Sequence, residues 1–125
     1  MRRAMLWLLA ALLCLSLTGC AKKGDVSLVR LDPGSSETFS REEIRAAMDA
    51  AMTYFQKHCT DGTLLRLRYD EGYSAAWIAA RSPEPDENTI VLLVNYLDAD
   101  GAEHTGVPWA LTRSENGSWK AEDLK

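Results

Sequence analysis

The apolar residues of this 125-residue chain fall into distinct patterns, each of which predicts an element. From Ala4 to Leu17 they form a nearly unbroken run of fourteen, short of the roughly 20 residues a helix needs to cross a bilayer. From Ile44 the spacing becomes that of one helix face, with Ile44, Ala47, Met48, Ala51, Met52 and Phe55 on a single stripe. Ser40 and Glu43 have the spacing of a capping box at the start of that helix, and Phe39 with Ile44 that of a hydrophobic staple. Glu42 and Glu43 suit the positive end of the helix dipole, Lys57 and His58 the negative end, and Gly62 is placed to take a left-handed stop.

Beyond the helix the rhythm shortens to two. Leu65, Leu67 and Tyr69 alternate with Arg66 and Arg68, the pattern of a strand with one buried face. Ser74 to Ala80 predicts a short helix around Trp77 and Ile78, and Ser82-Pro83-Glu84-Pro85-Asp86 a loop. Ile90 to Leu97 is apolar on both faces, so it predicts a central strand covered on both sides. Asp98-Ala99-Asp100-Gly101 turns the chain, Trp109 to Arg113 resumes a strand, and Asn116-Gly117 marks a hairpin into Trp119 to Asp123. The expected class is α+β: one long N-terminal helix packed on a curved antiparallel sheet of about four strands.

The N-terminal run acquires meaning from its flanks. Arg2 and Arg3 precede it without any acidic residue, as in an export signal. Leu17-Thr18-Gly19-Cys20 closes it and resembles the lipobox of bacterial lipoprotein precursors. That resemblance implies that Cys20 carries a diacylglyceryl thioether, becomes the first mature residue and anchors the chain on the extracytoplasmic face of the cell membrane. The expected organisation is a signal peptide over 1–19, a lipidated tether over 20–37 and one α+β domain over 38–125. The tether is polar, broken by Pro33, Gly34, Ser35 and Ser36, with a short strand conceivable at Val26 to Leu31. Lys22 and Lys23 follow the anchor and can lie against anionic head groups.

Charge and cysteine usage narrow the function further. Residues 1–19 contain two arginines and no acid, so their removal takes the formal charge from −4 to −6, which gives nucleic acid no electrostatic reason to bind. Of the three cysteines Cys14 leaves with the signal and Cys20 is acylated, so Cys59 stays a single thiol, expected as a buried small hydrophobe.

Phe39 through Leu67, Tyr69-Asp70-Glu71, Thr89 to Val94, Trp109 to Arg113 and Gly117-Ser118-Trp119 together resemble a group of small lipoproteins from Gram-positive bacteria. The resemblance implies a cystatin-like or nuclear-transport-factor-2-like roll, and it brings no enzymatic residues with it. The Asp98 to Pro108 connection is shorter than in that group and the chain lacks an aromatic tail.

Candidate chemistry is sparse. Neighbours on a helix point about 100° apart, so His58 and Cys59 do not face one another as base and nucleophile must. His58 and His104 lack a zinc-ligand spacing, and Asp98, Asp100 and Glu103 lack the rest of a calcium loop. Asp70 and Glu71 read as a solvated strand end. No catalytic residue, metal or cofactor is therefore expected. Tyr69, Trp77, Trp109 and Trp119 are the aromatics that either fill a small core or line an apolar pocket. The expectation is a membrane-anchored, non-enzymatic binding domain, with a protein partner or second copy on the sheet face. A small hydrolase- or isomerase-like enzyme using the roll's pocket, or a structural envelope component, is the alternative.

Overall fold

The structure is a computed structural model that describes residues 22–82 and 86–121. The expected export signal, Cys20 and the last residues of the expected Trp119 to Asp123 strand lie outside the described residues. In chain order the elements are β1 (Arg30–Asp32), α1 (Arg41–His58), β2 (Thr63–Tyr69), α2 (Glu71–Ala79), β3 (Thr89–Leu97), β4 (Glu103–Arg113) and β5 (Trp119–Ala121).

The capping box of α1 forms as its residues dictate. Ser40 Oγ accepts from the Glu43 amide at 3.1 Å, and Glu43 Oε1 accepts from the Ser40 amide at 3.2 Å. Phe39, Ile44, Ala47, Met48, Ala51 and Phe55 are buried in one core. At the other end the Cys59 amide donates to the Phe55 carbonyl, but the left-handed residue is Asp61, not Gly62. Gly62 is required for proximity instead. A Cβ there would meet the Leu97 carbonyl oxygen at 3.0 Å and the Phe55 ring at 3.2 Å.

The sheet corrects the expected architecture. It has five strands in the order β1-β2-β3-β4-β5, and it is mixed because β1 runs parallel to β2 with Leu31 opposite Leu67. The long helix therefore follows a strand and is not the first element. Parallel pairing of β1 needs a crossover, and the segment from Pro33 through α1 supplies it. β3 is the middle strand, as its two-sided apolar pattern predicts, with bulges at Leu64/Arg66 and Val94/Tyr96 on either side of it.

Ile90, Leu92 and Val94 face the core beneath α1, while Val91 and Leu93 are buried outside that cluster. α2 packs on β3, and Ser74 Oγ accepts from the Val91 amide at 3.1 Å where β2 has ended. The chain thus covers its own central strand, and the apolar character of that strand no longer calls for a partner. α2 begins earlier than its apolar residues suggest because Asp70 caps it, accepting from the Tyr73 amide at 3.0 Å.

The stretch expected as a spacer is built into the domain from residue 22. The Lys22 amide donates to Asp61 Oδ1 at 3.0 Å, and the Asp61 amide donates back to the Lys22 carbonyl at 2.9 Å. The Gly24 amide donates to the Gln56 carbonyl, the Asp25 amide to that of Gly62, and the Leu64 amide to that of Asp25. Gly24 permits this docking because a Cβ there would stand 2.5 Å from the Phe55 carbonyl oxygen and 2.7 Å from its ring. Among the described residues no helix is long and apolar enough to cross a membrane.

Candidate functional site

Two concavities lie toward opposite ends of α1, and they differ in what their polar groups are already doing. The one near the start of α1 has a volume of about 430 Å³ and is lined by Phe39, Tyr69, Glu71, Ser74, Asp86 and Thr89 among others. Here Asp70 is exposed, as expected of a solvated strand end, and Glu71 half-buried, and both carboxylates also hold the local fold. Asp70 caps α2, while Glu71 accepts from the Ser36 hydroxyl, from the Glu37 amide at 3.2 Å and, more weakly, from Tyr69 Oη at 3.4 Å. The Ser36 hydrogen bond, then that amide, hold Glu71 below the usual glutamate range, and burial pushes the Tyr69 phenol up. Asp86 is similarly engaged by the Thr89 hydroxyl at 2.6 Å and the Asn88 amide at 2.8 Å. These acceptors secure the chain around them, so none is a free base.

The second concavity, about 390 Å³, lies beside the C-terminal turns of α1 and is walled by aromatics from four elements. α1 contributes Tyr54 and His58, whose rings stack with centroids 4.3 Å apart, followed by Cys59 at the helix end. Trp109 on β4 meets Tyr54 edge-on at 5.5 Å and lies 6.2 Å from Tyr96 on β3. Tyr96 in turn stacks on His104, its cross-strand neighbour, at 4.7 Å. From the other side α2 brings Trp77, with Arg81 just beyond its end. The Arg81 guanidinium lies 3.7 Å over the Trp77 ring and donates to the Trp77 carbonyl at 3.1 Å.

Trp77 also supplies the one buried side-chain polar atom without a partner among the described residues, its indole Nε1. A buried donor left unpaired costs about 1–3 kcal/mol, and the residue that carries it lines this cleft. Cys59 borders the same space, but burial pushes its thiol up, away from the thiolate that reactivity needs. The His58 ring stacks on Tyr54.

The four aromatics singled out from the sequence therefore part company. Trp77 and Trp109 share the second cleft and Tyr69 lines the first. Trp119 packs edge-on against Phe39 at 6.1 Å and borders a separate concavity of about 1060 Å³ with Lys57 and Lys120. Tyr54, Tyr96 and Arg81 were not among the candidates, although Tyr54/His58 and Trp77/Arg81 each have the i, i+4 spacing that puts two rings, or a ring and a cation, side by side. The acidic turn after β3 is organised internally. Asp98 Oδ1 accepts from the Asp100 and Ala102 amides, and Oδ2 bonds His104 at 2.9 Å. Among the described residues no group of three or more His, Cys, Asp or Glu side chains is arranged to hold a metal ion.

Comparison with known proteins gave no match: no protein-family model, no curated protein and no solved structure aligns significantly with the chain.

Proposed function

We propose that this chain is a lipid-anchored protein of the bacterial cell envelope, fixed through Cys20, whose domain binds a small ligand in the cleft between Tyr54, Trp77, Tyr96 and Trp109. The layering of one helix on an open, bulged sheet supports a cystatin-like or nuclear-transport-factor-2-like roll as the nearest architectural description. The observation that carries the binding reading is the unpartnered indole N–H of Trp77 in an aromatic-walled cleft with Arg81 at its edge. Aromatic faces stack on a flat or weakly polar ring, the indole donates one hydrogen bond, and the guanidinium attracts negative charge. The ligand class is thus a ring bearing an acceptor or carboxylate, such as an N-acetylated amino sugar or an aryl acid. Binding rather than catalysis is favoured because Asp70, Glu71 and Asp86 are all occupied in holding the fold.

The test is a titration of tryptophan fluorescence in the purified full chain with N-acetylglucosamine oligomers and with aryl carboxylates. A saturable change that disappears in Trp77→Phe, which keeps the ring volume but removes the N–H, supports the cleft. Trp119→Phe serves as control because Trp119 lines a different concavity. A response that survives Trp77→Phe unchanged assigns binding elsewhere, and no response to either probe class removes this ligand chemistry.

A further inference from the structure

The geometry points to a membrane-docking surface on the flank of α1, one that holds the domain flat against anionic lipid head groups. Four lysines lie among the described residues, and all four are exposed along one connected surface. Lys22, Lys23 and Lys57 line a concavity of about 360 Å³ whose remaining walls are Thr53, Gln56 and Thr60. Lys57 also lines the neighbouring concavity with Lys120. Neither has a carboxylate in its lining, and among the described residues none of these lysines is in an ion pair. Asp25 and Asp61 are exposed and border a further concavity with Lys22 and Lys23, where Asp61 accepts from the Lys22 amide and Asp25 from the Ser27 amide at 2.8 Å, so the acid-free part of the flank is the part built around Lys57.

In a chain of formal charge −4 a larger group of exposed acids, Glu37, Glu42, Asp70, Asp86, Glu87 and Glu115, is gathered around the opposite end of α1. A negatively charged bilayer repels that end and attracts the lysine flank within a screening length of about 8–10 Å.

Chain length selects a membrane over other anionic partners. The backbone of Lys22 is fixed to Asp61, and Cys20 is two residues away. At 3.8 Å per residue its Cα lies within about 7.6 Å of that of Lys22. An acyl chain on Cys20 therefore enters the bilayer beside the lysines, with no spacer to lift the domain clear. The inference rests on the proposed anchor at Cys20, and each lysine is expected to add roughly fivefold to membrane affinity. It also places the aromatic cleft, which shares Tyr54 and His58 with this flank, next to the lipid surface.

The full chain, processed in a bacterial host and purified from membranes, is reconstituted into vesicles of phosphatidylcholine alone or mixed equally with phosphatidylglycerol. Acetylation by a water-soluble amine reagent is then read peptide by peptide. Lys22, Lys23 and Lys57 are expected to react several-fold more slowly on the anionic vesicles, and high salt should restore the rate. Carbodiimide labelling of Glu42 and Glu115 should not change. A Lys23→Glu/Lys57→Glu variant, altered only at exposed positions, should lose the protection while melting as the parent does. The N-terminal peptide in the same digest reports the anchor. An acylated peptide with equal lysine rates on both vesicles overturns the docking and leaves the anchor standing, whereas an unmodified peptide overturns both. Equal protection by inorganic phosphate without vesicles overturns the assignment to a bilayer.

Discussion

The two ends of α1, about 27 Å apart at helical rise, are held by different means. At the N-terminal end the polar side chains are matched with one another. Ser40 and Glu43 form the capping box, Arg113 pairs with Glu43, Ser36 donates to Glu71, and Thr89 to Asp86. At the C-terminal end most links run from backbone to backbone, through Gly24, Asp25, Gly62 and Leu64, with Asp61 Oδ1 accepting from the Lys22 amide, and among the described residues the Lys22, Lys23 and Lys57 side chains are in no ion pair and Trp77 Nε1 has no partner. The first end uses its polar chemistry to close the fold, and the second leaves more of its polar groups unmatched. The proposed ligand cleft and the proposed lipid-facing flank both lie at that second end.

The sharpest way to break the comparison is to remove the aromatic hub at each end. Phe55 is fully buried and contacts Tyr96 and Trp109, and its backbone and ring receive Gly24. Phe55→Ala should cost about 3–5 kcal/mol, read by chemical denaturation, and should flatten any ligand response of the cleft. Phe39, 8% exposed and edge-on to Tyr69 and Trp119, should cost toward the lower limit of that range and spare the cleft. Equal loss of binding in both variants would show that the ends are one cooperative unit and that the contrast between them is only descriptive.

Gly24→Val probes the docked N-terminal segment with a smaller effect. A side chain there collides with the carbonyl and ring of Phe55, so either the helix end shifts or residues 22–25 leave it, at about 1–3 kcal/mol. Hydrogen exchange should accelerate at the Asp25, Asp61 and Leu64 amides, whose acceptors lie in this contact, and not at the Ser40 or Glu43 amides. Unchanged protection at Asp61 and Leu64 would mean that the segment is held by something other than the close approach at Gly24.

What the sequence made legible divides along the same line. The N-terminal end of α1 is specified by side chains with local signatures, so the capping box, the staple and the stripe from Ile44 to Phe55 could be read directly. The central position of β3 followed from apolar residues on both faces. The C-terminal end was opaque because backbone hydrogen bonds from Lys22 to Asp25 have no side-chain signature, and Gly24 reads as spacer until Phe55 is placed against it. The short strand offered at Val26 to Leu31 overlaps β1 at Arg30 and Leu31, but its place in the sheet was not legible because β1 is three residues long and pairs with a segment 36 positions later. The first half of β4, Glu103 to Pro108, reads as polar loop because much of it is solvent-exposed at the sheet's margin. Glu71 gave no sign of its role either, since its partner Ser36 is 35 residues away.

Acid titration separates the ends by the smallest effect. Glu43 is held below the usual glutamate range by the Ser40 amide first and then by Arg113, and Glu71 by Ser36 and the Glu37 amide. A carboxylate with a depressed folded pKa adds stability above its unfolded value of about 4.3, and that contribution fades as pH falls through the folded value. Between neutral pH and pH 5 the N-terminal end should therefore be unchanged, and below about 4 it should loosen, seen as faster exchange at the Ser40, Glu43 and Glu37 amides. Asp98, favoured as an anion by His104 and the Ala102 amide, should release the β3–β4 turn in the same direction. The amide-to-carbonyl bonds from Gly24 to Gln56 and from Gly62 to Cys59 join residues with no group that titrates in acid and serve as the internal reference. If those two amides deprotect together with Ser40 while the protein remains folded, the ends are not independently held. In that case the free lysines and the orphan indole lose their claim to mark a separate, outward-facing surface.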